Sequence, residues 1–147
     1  MVAWVEDDVA PPFCKNYELT HDNALGLAAT AADRGGVQPV VTALVNGHVR
    51  TDVKVGEAVT FSGTAEQPPG MGTVTKAEWD FEGRGAWATS HDEVDGSSPS
   101  IEVSTTHAYD GPGTYFASFR VSAHRDGAKG AGLPVMNLSR VRVVVSD

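Results

Sequence analysis

Apolar and polar residues alternate with a period of two over much of this chain. The clearest case is Lys76–Phe81, where Ala77, Trp79 and Phe81 fall on one side and Glu78 and Asp80 on the other. A strand that carries a Trp and a Phe on one side must bury that side, and a second sheet is the expected cover. Glu82-Gly83-Arg84-Gly85 follows, and its two glycines allow a bend that residues with a Cβ resist.

The same alternation recurs along the chain. Val37–Val45 is rich in β-formers, with Pro39 suited to an edge or a strand start, and Asn46-Gly47 is a strong turn signal. Val59, Phe61, Gly63 and Ala65 share one face of the next run, and Gln67–Gly72 is a Pro/Gly loop. A polar loop spans 89–100, after which Ile101–Ser104 resumes the pattern. Tyr115, Ala117, Phe119 and Val121 oppose Phe116, Ser118, Arg120 and Ser122. At the end, Val141, Val143 and Val145 face inward while Arg140 and Arg142 face solvent. Some seven short strands separated by turn signals predict an all-β, immunoglobulin-like sandwich over 37–147.

Residues 1–36 read differently, as an arm or linker. Val2, Trp4, Val5 and Val9 flank Glu6-Asp7-Asp8 in a turn or two of helix that Pro11-Pro12 stops, and Asp33–Gly36 forms a hinge. The start at Met1-Val2-Ala3-Trp4 suggests a piece of a longer chain. Trp4 to Pro12 resembles the last helix of bacterial α/β-hydrolases of the tannase and feruloyl-esterase kind, which implies a catalytic domain upstream with its nucleophile there.

Composition narrows the function classes. With 147 residues and 41% apolar content the chain can bury one ordinary core. A formal charge of −8 argues against nucleic acid and anionic membrane surfaces as partners. No run of residues has the length and apolarity to cross a bilayer. The single Cys14 forms no internal disulfide and has no activating neighbour, so it reads as an unreactive thiol. The five histidines, at 21, 48, 91, 107 and 124, lack metal-ligand spacing, and no nucleophile elbow or phosphate-binding loop occurs.

Taken in order, Val55–Phe61, Trp79-Asp80-Phe81, Gly83 and Gly85, His107-Ala108-Tyr109, Pro112-Gly113-Thr114-Tyr115 and Phe119-Arg120-Val121 resemble the signature of a PKD domain. The resemblance runs from about Pro39 to Val145. It implies an immunoglobulin-like sandwich used as an accessory module in secreted and surface proteins, hence an extracellular or cell-surface location. Some members of that family bind calcium. Here Arg84 stands where an acidic residue is usual, and no cofactor is expected.

The resemblance makes Trp79, Asp80, Phe81, His107, Tyr109, Gly113 and Tyr115 structural residues. Trp79 is read as core and Asp80 as holding the turn. Tyr115 is read as fixing a corner through its hydroxyl, and His107 as hydrogen-bonding at the turn. Trp87, just after the turn, is a candidate ligand or partner contact because a partly exposed indole can stack on a sugar or anchor a protein. His91 and Asp92 join it as contacts from a solvated loop, as does the 67–72 loop. The expected function is a non-catalytic spacer or protein-interaction module of a larger secreted or surface protein, of which a hydrolase is the expected kind. Its partners would be neighbouring domains of the same polypeptide or another protein. The alternative is a carbohydrate- or polymer-binding module that brings an attached enzyme to a polysaccharide.

Overall fold

Residues 36–147 are described by a computed structural model; the expectations for the arm, the hydrolase-like helix and Cys14 concern residues outside that range. Eight strands follow in order: β1 (Val40–Val45), β2 (Arg50–Lys54), β3 (Ala58–Glu66), β4 (Thr73–Asp80), β5 (Thr89–Ser90), β6 (Ser100–Ala108), β7 (Gly113–His124) and β8 (Val135–Ser146). They form two sheets, one ordered β1-β3-β6 and the other β2-β8-β7-β4-β5. The fold is an all-β sandwich.

Period-two patterning decides what lies between the sheets. Val59, Phe61, Gly63 and Ala65 of β3, Trp79 of β4, Phe119 and Val121 of β7, and Val141, Val143 and Val145 of β8 are all buried. In β4 the parity changes once: Val74 pairs with Ala123 and Lys76 with Ser122, leaving Thr75 as a bulge. Unbroken alternation would put Val74 and Trp79, five residues apart, on opposite sides of the sheet; the bulge lets both be buried.

The Asn46-Gly47 turn is present, with φ of 47° and 82°, the left-handed pair a tight two-residue turn requires. It makes no long hairpin, because β1 and β2 belong to different sheets and only Val45 and His48 bridge. β2 instead pairs in parallel with β8. The turn therefore carries the chain from one layer to the other.

Aromatic rings run through the core in unbroken contact. Phe119 lies 4.7 Å from Trp79, Trp79 5.3 Å from Phe61, and Phe61 5.1 Å from Phe81. Phe81 continues to His107 at 4.2 Å, His107 to Tyr109 at 4.7 Å, and Tyr109 to Tyr115 at 4.2 Å. Both tyrosine hydroxyls close backbone loops: Tyr109 donates to the Phe81 carbonyl at 2.7 Å and Tyr115 to the Gly111 carbonyl at 2.8 Å. The corner role expected of Tyr115 is thus visible.

His107 differs from expectation. It sits near the end of β6 in register with Val59, and its ring stacks nearly parallel on Phe81 instead of bonding the turn. A strand position with an aromatic neighbour gives the imidazole a flat apolar surface, and stacking wins. Burial lowers its pKa, and the charges of Asp110 and Glu82 oppose that only in part.

Candidate functional site

The outer surface of the five-stranded sheet brings together the residues with most to offer a partner. Register places Glu78, Arg120 and Leu138 side by side across β4, β7 and β8; Lys76, Ser122 and Met136 form the next row. Phe116 lies beside Arg142. Phe116, Met136 and Leu138 remain 46%, 47% and 43% exposed; Met136 and Leu138 are neighbours, and Phe116 lies two rows further along the sheet.

Trp87 joins this surface from the segment between β4 and β5. The Arg120 guanidinium lies 4.0 Å over its ring, within the range of a cation–π contact. Arg120 is itself held by Glu78, whose Oε2 accepts from Nε at 3.1 Å and Nη2 at 2.8 Å. Lys76 Nζ reaches the other oxygen of Glu78 at 2.8 Å. Burial pushes the Glu78 carboxyl up, but the hydrogen bonds from Lys76 and Arg120 outweigh it and hold the pKa below its ordinary value. Trp87, Arg120, Met136, Asn137 and Leu138 line a shallow concavity of about 340 Å³.

Charge separates the two outer faces. On the five-stranded sheet the outward positions hold Arg50, Lys54, Lys76, Arg120, Arg140 and Arg142 against Asp52, Glu78 and Asp80, although the whole chain is strongly acidic. On the three-stranded sheet the outward row is Thr42, Thr60, Ser62, Thr64, Ser104 and Thr106, and the charged members are Glu66 and Glu102. A concavity of about 510 Å³ opens there between Thr64, Glu66, Ser100 and Glu102.

The other sequence candidates fall elsewhere. Trp79 is fully buried, as core. His91 was expected in a solvated loop, yet it is 7% exposed. β5 extends the sheet, and the His91 N–H then bonds the Ala77 carbonyl at 3.0 Å, which draws the ring inward. Its Nδ1 lies 2.9 Å from Glu93 Oε1. Asp92 is exposed beside it, and the structure gives Trp87 a guanidinium partner instead of either residue. In the 67–72 loop, Gln67 and Pro68 are buried; Gln67 Nε2 donates to the Met71 carbonyl at 2.8 Å, so the loop is tied down at its base.

Among the described residues no three of His, Cys, Asp and Glu converge as a metal-ligand set. At the β4 turn, Asp80 directs its carboxylate to three backbone N–H groups, and Arg84 pairs with Glu82 at 3.5 Å. No helix among them is long and apolar enough to cross a membrane. No family model matches the sequence, and no curated protein is detectably similar to it.

The titration of two groups yields a pH prediction. His107 has a lowered pKa in the fold, so the unfolded chain takes its proton first. The stability from its neutral stack is complete above the unfolded value of 6.5 and is lost as pH falls through that value toward the folded one. Glu78 also has a lowered folded pKa, so its contribution is present above the unfolded value of 4.5 and lost as pH falls through the folded one. Urea midpoints measured from pH 8 to pH 3 should fall in two stages. His107→Phe should remove the first and Glu78→Gln should reduce the second, to which Glu93 and Asp95 also contribute; a His107→Phe curve that still bends near neutrality would contradict the assignment.

Proposed function

We propose that this chain is a non-catalytic PKD-type accessory module of a larger secreted or surface protein, serving as a spacer or interaction domain. The observation that carries the reading is the pair of half-exposed apolar residues Met136 and Leu138 beside Trp87, with Phe116 further along the same sheet face. A rigid two-layer scaffold presenting such a face suits contact with another protein surface, where aromatic and Arg residues concentrate binding energy. Support for the PKD reading comes from the Asp80-capped turn, the Tyr109 bond to Phe81 and the Tyr115 bond to Gly111, each on a signature residue. A hydrolase as parent protein is part of the same proposal, and calcium has no part in it.

The polysaccharide-binding reading is second, favoured by the partly exposed indole of Trp87 at a concavity. Arg120 covers one face of that ring, which weakens it as a sugar platform. Retention of the full chain on insoluble cellulose, chitin and xylan separates the two. The interaction reading expects the protein in the unbound fraction and no turnover of simple acyl esters. Retention that disappears in Trp87→Ala would replace it with the polysaccharide reading.

A further inference from the structure

Resting on the interaction reading, we propose that the outer row of β8 binds an extended acidic polypeptide segment that also carries aliphatic side chains. Met136, Leu138, Arg140 and Arg142 are successive outward positions on this strand. Alternate residues of a strand advance about 6.7 Å, so the four positions span about 20 Å, apolar at one end and cationic at the other. An extended segment has the same side-chain repeat. Its aliphatic residues would enter the concavity between Trp87, Met136 and Leu138, and its carboxylates would meet the two guanidinium groups.

The cations of this face are not equivalent. Arg120 and Lys76 are engaged with the buried Glu78, and Arg50 with Asp52 at 3.2 Å. Arg140 and Arg142 have no carboxylate partner among the described residues; Arg142 rests over Phe116 at 5.4 Å. They are therefore available to an incoming anion without first breaking an internal ion pair. An acidic polysaccharide would satisfy both arginines but leave Met136 and Leu138 uncovered. A neutral one would leave the arginines unused. A polypeptide with both kinds of side chain matches the row, and the net charge of −8 on the whole chain disfavours a nucleic acid.

The test is a titration of the isotopically labelled full chain, followed by amide NMR, with the synthetic peptide Leu-Thr-Leu-Thr-Glu-Thr-Glu and with its reversed sequence. Parallel titrations use the peptide with both Leu replaced by Ser, and soluble polygalacturonate. Shifts should concentrate on β7 and β8, and affinity should drop about tenfold or more in Arg140→Glu/Arg142→Glu, as expected for reversal of two charges near a bound anion. Leu138→Ser should weaken binding by a similar factor, while Thr60→Glu on the opposite face should not change it. Amide dispersion checks that each variant is folded. Absence of shifts with both Leu peptides, or equal weakening by Thr60→Glu, overturns the proposal. Tighter binding of polygalacturonate at the same residues overturns it too, yet leaves that face as the contact surface. Retention on insoluble polysaccharide lost with Trp87→Ala removes the interaction reading itself.

Discussion

Asp80→Ala is expected to destabilise the domain by about 3–5 kcal/mol, the range for losing a buried, charge-assisted hydrogen-bond network. That is a large share of the roughly 5–15 kcal/mol that holds an ordinary domain together. Asp80 is 2% exposed. Its Oδ1 accepts from the N–H of Glu82 at 3.2 Å and of Gly83 at 3.0 Å, and its Oδ2 from Gly85 at 2.5 Å. Alanine would leave these three donors without their acceptor in a turn that has little room to rearrange. Gly83 and Gly85 hold φ of 73° and 88°, and a Cβ at Gly83 would stand 2.4 Å from the Phe116 carbonyl oxygen. Asp80→Asn keeps the shape, but one side of the amide now donates toward a backbone donor, so it should recover only part of the loss. Urea unfolding should order the midpoints wild type, Asn, Ala at unchanged slope. An alanine variant within about 1 kcal/mol of wild type would show that the turn is held by something else.

Much of this architecture was legible because alternation reports directly on burial. The inward sets of β3, β7 and β8 were readable from residue spacing, as was the turn after Phe81. Pairing across the sheets was not. Nothing local says that β2 joins β8 in parallel, since that contact depends on the Asn46-Gly47 turn switching layers and not closing a hairpin. The Thr75 bulge was equally hidden, because a single extra residue changes no composition and shows only where the partner strand continues in register.

The candidate site divides along the same line. Trp87 was readable as a partly exposed aromatic, and Arg140 and Arg142 as outward-facing. That Arg120 covers Trp87 and is locked by Glu78 required the β4–β7 register. Phe116 and Leu138, apolar residues at outward positions, were the available signal for this face. His91 misled because its polar neighbours suggested solvent, whereas burial there follows from one backbone bond to Ala77. His107 misled for a different reason: a residue type that often bonds turns instead had an aromatic ring beside it.

Gly63→Val should have an effect of similar size, about 4 kcal/mol, at a position where glycine is required by space and not by backbone angle. Gly63 lies in the central strand of the three-stranded sheet, between Ala43 and Val103. An added Cβ would stand 2.4 Å from Phe119 Cε2 and within 2.7 Å of two more ring carbons. Phe119 cannot simply move aside, since it is fully buried and Trp79, its cross-strand neighbour, lies 4.7 Å away. Displacing it disturbs the ring contacts that continue to Phe61 and Phe81. Gly63→Ala should be milder, about 2 kcal/mol, because overpacking is offset in part by the lower entropy of the unfolded alanine chain. If the ring is the obstacle, shrinking it must relieve the strain. Phe119→Leu alone should destabilise by leaving space, whereas Gly63→Ala/Phe119→Leu should cost less than the two changes summed, with a coupling of about 1–2 kcal/mol. Strict additivity in that cycle would locate the cost in the backbone of β3 and not in the contact between the sheets.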